Sequence, residues 1–337
     1  ALPISNMYLM PGDELEIGDI ILTSENTAVS KTVRFATQSE FSHAMLYVGD
    51  HSYIHSDANG VHSGNLQRLL FPSKENVAIV RVNCNRSEKE KACDFARSKI
   101  GTSYSVKEAV NAKLKIPKKA KENRQYCSRL VVQSYDFADV SLVKNINYCT
   151  PQDIIESEKV SYTTIVARMA TKQEIKFANE RNPIQRQTEI TNSILQSVRC
   201  ITGKDIQTLE QVIEYVILFP NNDESISKVF KDSGYLDMWK YEVEKNSWRY
   251  DAIGFLKFNI PPSQLIDLAS RELQMGRNRL VRYQANYMQY LHLNKIHGGE
   301  CLGEHVKLYE NLVRNTKDNI KAASCVLAIL SEKQMQE

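Results

Sequence analysis

Cys127 stands in the run Arg124-Gln125-Tyr126-Cys127-Ser128-Arg129-Leu130-Val131-Val132-Gln133-Ser134-Tyr135. The spacing of Leu130, Val131, Ser134 and Tyr135 is helical, which puts the thiol at or just inside a helix N-terminus. Unsatisfied N–H groups and the helix dipole favour thiolate over thiol there. Arg124 and Arg129 add positive charge in the same direction. A nucleophilic cysteine further needs a histidine to take its proton and a third polar group to orient the ring. Without those partners, a cysteine at this spacing is more often a small packing residue.

His43 is the candidate base. It opens the apolar run Ala44-Met45-Leu46-Tyr47-Val48, where an imidazole costs desolvation unless its nitrogens find partners. Taken alone it reads as a strand-end histidine satisfied by backbone. A three-residue turn at Gly49-Asp50-His51 would pair Val48 with Ser52, Met45 with His55 and His43 with Asp57. That register sets His43, His55 and Asp57 on one face within diagonal reach, whereas a slip of one residue would turn His55 away. Cys149 is a rival nucleophile. Its neighbours Thr150, Pro151 and Asp153 read as N-cap, N1 and N3 of a short helix, which leaves Cys149 just before the cap beside an acid. Cys127 is preferred.

These residues need elements to hold them, and the two halves of the chain offer different ones. Short β-rich runs at 19–22, 43–48, 77–82 and 162–166 are punctuated by Gly and Asp, with helical patterns near 88–99 and 127–137. Beyond about residue 170 the pattern is helical nearly throughout. Ile206, Leu209, Val212, Ile213, Val216 and Ile217 mark one buried face. Ser263 reads as the N-cap of a helix that stops near Gly276, and a further helix ends before Gly298-Gly299. The expectation is an α+β catalytic domain over 1–168 and an all-helical domain of unassigned role over 169–337.

Composition bounds the rest. Among 337 residues, 42% are hydrophobic and 25% charged, which supports packed cores and excludes collagen-like or wholly disordered readings. Seven scattered cysteines form no CxxC pair and no cluster with histidine, so no metal site, cofactor or disulfide framework is expected. The first ten residues lack the features of a signal peptide, and no run reaches the length of a membrane span. A soluble protein is expected, cytoplasmic unless delivered elsewhere as an effector. The basic segment 107–124 reads either as a rim for anionic headgroups and acidic substrates or as a solvated loop. It lacks the interleaved aromatics of a nucleic-acid site. Trp239 and Trp248, with nearby tyrosines, read as core or as an interface for a protein partner.

Five pieces in order carry a resemblance: Gly18-Asp19-Ile20, Ser42-His43-x5-Gly49, His55-x4-Gly60-Val61, Gly101-Thr102-x-Tyr104-Ser105 and Tyr126-Cys127-Ser128-x-Leu130-Val131. Over about residues 10–168 the chain resembles the circularly permuted NlpC/P60 papain-like proteins. The YiiX/YebB-like cysteine hydrolases are the similar branch, and lecithin retinol acyltransferase is a more distant cousin. The resemblance implies a permuted papain-like fold in which the histidine strand precedes the cysteine helix. It implies Cys127 as nucleophile, His43 as base and His55 in the third polar position, where the branch often carries Glu. Asp57 is the substitute for that third role, and Tyr104 and Tyr126 take supporting ones. The implied activity is hydrolysis of an amide or peptide-type bond through an acyl-enzyme. Acyl transfer or lipid-ester cleavage by the same thiol is the alternative, with a peptide-like or acyl-lipid substrate. A binding scaffold without turnover is the non-enzymatic one.

Overall fold

The computed structural model describes residues 6–24, 41–104 and 124–334. The basic segment at 107–124 lies, apart from Arg124, outside the described residues. The chain divides into two units. Residues 1–192 with 207–210 form the first, and residues 193–206 with 211–337 the second.

The first unit is built on a six-stranded antiparallel sheet in the order β5-β4-β3-β2-β6-β7. Its strands are β2 (Ile20–Thr23), β3 (His43–Gly49), β4 (Ser52–Asp57), β5 (Gly60–Asn65), β6 (Val77–Val82) and β7 (Val160–Tyr162). Two further short strands, β1 (Tyr8–Leu9) and β8 (Arg168–Met169), pair with each other. Of the run expected as a strand over 162–166 only Tyr162 is in one, as the last residue of β7 on the edge of the large sheet; residues 163–166 lie between β7 and β8.

Strand alternation sorts the side chains. Ile20, Leu22, Ala44, Leu46, Ile54, Val61, Val80 and Val82 pack on one face with helices α1 (Arg86–Ser98) and α2 (Cys127–Phe137). Ile21, Met45, Tyr47, Tyr53 and Ile79 pack in a second cluster on the other. Helix α1 starts at a capping box, with the Asn85 side chain accepting from Glu88 N and Glu88 accepting from Asn85 N. Helix α2 is anchored at its far end by Tyr135, whose hydroxyl donates to the Gly18 carbonyl. Beside Gly18, the buried Asp19 carboxylate is held bidentately by Arg81, through Nε at 2.7 Å and Nη2 at 2.8 Å. A buried charge is tolerated because it is paired this way.

The β3–β4 hairpin differs in detail from the three-residue turn read from sequence. Asp50 and His51 form a two-residue turn with φ of 51° and 56°, and Gly49 pairs with Ser52. A bulge at Val48 then restores Tyr47↔Tyr53 and Leu46↔Ile54. Those two pairs are the expected register, because the extra residue moved from the loop into the strand. The β4–β5 hairpin turns tightly at Ala58-Asn59, so His55 lies directly opposite His62.

The second unit is helical. Two long helices, Pro262–His297 and Glu300–Gln334, are joined by Gly298-Gly299. Ser263 is not the N-cap; Pro261 is, with Pro262 at N1. Gly276 does not end the helix either. A Cβ there would meet Ile320 Cγ1 at 2.8 Å, so the glycine allows the two long helices to approach closely. Ile206 precedes rather than joins the helix Leu209–Leu218. Trp248 is spent on this unit's core, edge-on to Phe255 at 5.0 Å and to Phe258 at 4.9 Å.

Gly60 fixes the outer hairpin against the loop that precedes the site. Its φ is +91°, and a Cβ would stand 2.7 Å from the Thr102 carbonyl oxygen. Val61 N–H donates to that same carbonyl at 2.8 Å. Gly60→Ala should therefore destabilise the protein by about 1–3 kcal/mol in urea unfolding. A change below about 0.5 kcal/mol would mean the turn relaxes freely.

Candidate active site

Helix α2 begins at Cys127 because the extended backbone of Tyr126 ends there and Leu130 N–H donates back to Tyr126 O at 3.0 Å. Tyr126 makes no side-chain cap to the first turn of α2, the turn that carries the thiol. The first residues of β3 meet this helix end. Burial by itself would raise the Cys127 thiol. The charge of His43 and a hydrogen bond with its ring, joined by the Ala44 N–H and the Ser128 hydroxyl, bring it down to about 6. The depression comes from His43, not from the two arginines. Arg129 is 1% exposed, with Nε and Nη2 on Asn147 O at 3.1 and 3.0 Å and Nη1 on Arg124 O at 2.8 Å.

Behind His43 stand two more imidazoles. His43 Nε2 and His55 Nδ1 share a hydrogen bond at 2.8 Å, with the rings edge-on at 5.1 Å between centroids. That leaves His43 Nδ1 for the thiol. His55 in turn packs on His62 at 4.3 Å. By alternation all three rings lie on the sheet face opposite the one that Ala44, Ile54 and Val61 present to the helices. Burial, reinforced by His43 and His62, drives His55 far below the usual histidine range. A neutral His55 can accept through Nδ1 the proton that His43 carries on Nε2.

The structure thus brings together Cys127, His43 and His55. Asp57 turns elsewhere: its Oδ1 is 3.0 Å from His62 Nε2 and accepts from Asn59 N–H at 2.8 Å. Burial would raise this carboxyl, but His62 and the Asn59 amide hold it at about 2. Tyr104 borders the site. Burial first, then the nearby Cys127 and Asp57, push its phenol upward, so it stays protonated. Tyr126 is a strut: its hydroxyl donates to Asn147 O at 2.9 Å and accepts from Cys149 N at 3.0 Å. Cys149 is buried beneath it, and burial together with Asp153 and Cys127 pushes that thiol up. The rival cysteine is kept neutral.

Two features of the site were not read from the sequence. His62 is one; the turn signal Asp57-Ala58-Asn59-Gly60 was there to place it opposite His55. The other is the polar strap that ties Gln125 to Gln133 at 2.7 Å and Gln133 to Asn147 at 3.0 Å. It rests on residues 14 apart or less, but no periodicity announces it.

Residues 14–179 match the family described as permuted papain-like amidase enzymes, YaeF/YiiX, the C92 peptidase family. Through this segment the chain belongs to that family. Among solved structures it is similar to one titled "metalloprotein yiiX" from Escherichia coli O157:H7, at 17% sequence identity and a TM-score of 0.31. That match covers 44% of this chain and 97% of the other. No curated protein matches. Among the described residues, no helix is long and apolar enough to cross a membrane.

Alkylation of Cys127 by iodoacetamide, followed against pH by peptide mass spectrometry, should show a midpoint near 6. His43→Gln should move it to about 8.5 or higher, where an unassisted thiol ionises. A wild-type midpoint already near 8.5 would show that His43 does not support the thiolate.

Proposed function

We propose that this protein is a thiol amidase in which Cys127 is the nucleophile, His43 the general base and acid, and His55 the residue that orients His43. The observation that carries the reading is the continuous contact from a thiol depressed to about 6, through His43, to a neutral His55 at 2.8 Å. The amidase family to which residues 14–179 belong supports the reaction class.

The chemistry follows from the donors present. The Cys127 sulfur attacks the substrate carbonyl carbon, and the carbonyl π electrons move to oxygen. The Cys127 backbone N–H, at the first turn of α2, stabilises that oxyanion. Collapse breaks the C–N bond, and His43 Nδ1 gives its proton to the leaving amine. Water then attacks the thioester with His43 taking its proton, and the thiolate departs with the acyl group released as acid. His55 Nδ1 holds the Nε2 proton of His43 throughout, which fixes the ring's orientation and tautomer. His55 supports the cation less than a carboxylate would, because it offers a dipole and no charge. Tyr104, protonated at the edge of the site, is suited to donating to a substrate oxygen or nitrogen. Segment 107–124, lying directly before the nucleophile in sequence, brings positive charge to acidic substrates or anionic lipid.

Water is the acceptor this reading favours; an added amine or alcohol would report acyl transfer through the same thioester. The test is intact-mass trapping with a panel of peptide amides and acyl esters quenched in acid. A stoichiometric acyl adduct on Cys127 is expected from amide substrates. Cys127→Ala should abolish both adduct and turnover with thermal stability unchanged, and His55→Ala should lower turnover about a hundredfold. Turnover that survives Cys127→Ala would refute the assignment, as would unfolding of that variant alongside a stable Cys127→Ser.

A further inference from the structure

Outside the reacting dyad, one cluster of ligand-type side chains is unaccounted for. His55, Asp57 and His62 each offer one donor atom, and the three atoms lie within 4.8 Å of one another. His55 and His62 are a direct cross-strand pair, and Asp57 follows His55 by two residues on the same face of β4. We propose that these residues bind a divalent transition-metal ion of the zinc class, and that the ion switches off the thiol site by reversing the hydrogen bond between His55 and His43. The site rests on the geometry of the three residues. The switch rests also on the thiol-amidase reading.

Two observations support a cation here. His62 Nε2 is buried and lacks an aligned hydrogen bond, yet it faces Asp57 Oδ1 at 3.0 Å. Its other nitrogen, Nδ1, is 3.3 Å from the Ser63 carbonyl. His62 Nε2 and Asp57 Oδ1 thus already face one another across a gap in which a cation would take the place of their mutual contact. The second observation is access. His62 forms part of the wall of a polar pocket with Asn59, Asn65, Arg68, Glu189 and Asn192, so an ion can reach the cluster without unfolding the hairpin.

Two imidazoles and one carboxylate suit zinc, cobalt or nickel rather than magnesium or calcium. Bond lengths of about 2.0–2.2 Å keep donors around one ion roughly 3–4 Å apart, so small side-chain rotations close the set. The fourth position stays open.

The switch follows from tautomers. With Nδ1 of His55 on His43, the nitrogen available to metal is Nε2. A metal on Nε2 places the ring proton of neutral His55 on Nδ1, and Nδ1 changes from acceptor to donor. His43 Nε2 must then accept, and cannot hold a proton of its own. The 2.8 Å hydrogen bond that orients the His43 ring is then reversed.

The test uses the full chain. Cobalt(II) added to Cys127→Ala should give a visible spectrum of nitrogen and oxygen ligands without a thiolate charge-transfer band. Affinity should fall about 100-fold on adding His62→Ala, or Asp57→Asn if the first variant folds poorly. In the otherwise wild-type chain, saturating zinc should slow Cys127 alkylation at least about tenfold, reversibly on chelation, and should have no such effect in His62→Ala. Equal cobalt affinity with and without His62 would overturn the site. Equal slowing by zinc in wild type and His62→Ala would overturn the switch and indicate direct capture of the thiol. If Cys127 is unreactive even after chelation while cobalt binding depends on His62, the amidase reading fails and the metal site stands.

Discussion

Cys127 is buried to 6% exposure, so its ionisation depends on a positive charge and hydrogen-bond donors at contact distance, and the first unit brings both to the start of α2. The positive partner must come from β3, because His43 and the Ala44 N–H are the groups that reach the end of α2. On the far side of His43, Nε2 shares a hydrogen bond of 2.8 Å with His55 Nδ1 on β4. Helix α2, strand β3 and strand β4 therefore have to be adjacent and in register. The sheet order β5-β4-β3-β2 and the packing of α2 across it satisfy that requirement.

The surroundings protect this alignment by fixing what flanks it. Arg129 gathers the carbonyls of Arg124 and Asn147, so the chain entering α2 and the loop before Cys149 are held by one buried guanidinium. It also lies over the Tyr126 ring at 4.8 Å. At the opposite end of α2, Tyr135 clasps Gly18, whose positive φ leads into the Asp19–Arg81 pair. On the outer side, Gly101 N–H donates to Val61 O and Thr102 O accepts from Val61 N–H, which closes the hairpin carrying His55 and His62. Two of the short sequence pieces, Gly60-Val61 and Gly101-Thr102, are the two sides of that one contact.

Much of this was legible in the sequence, and the reason is local. Cys127 at the first turn of a helix ending at Phe137, strand Val77–Val82, the Thr150-Pro151-Asp153 cap and the pairing register of β3 with β4 all follow from alternation, capping and turn chemistry. What escaped depends on contacts between distant segments. Arg129 reads from sequence as a charge that lowers the thiol, but its guanidinium is consumed by two carbonyls. Gly276 reads as a helix stop, but helix-to-helix packing overrides its propensity because Ile320 needs the space. Asp57 reads as a substitute orienting acid, but the contact with His43 is made by His55 and Asp57 turns to His62, a residue the strand register alone would have placed.

The proposed chemistry depends on the charge state of His43, and nitrogen-15 NMR of the histidine rings measures it directly. At pH 7 His43 should carry protons on both nitrogens in the metal-free wild-type protein, with His55 neutral and its Nδ1 accepting. In Cys127→Ala, His43 should revert to a single proton, because the anion that holds the second is gone. A singly protonated His43 beside a neutral Cys127 thiol in the wild type, unchanged by Cys127→Ala, would contradict the ion pair on which the proposed chemistry depends.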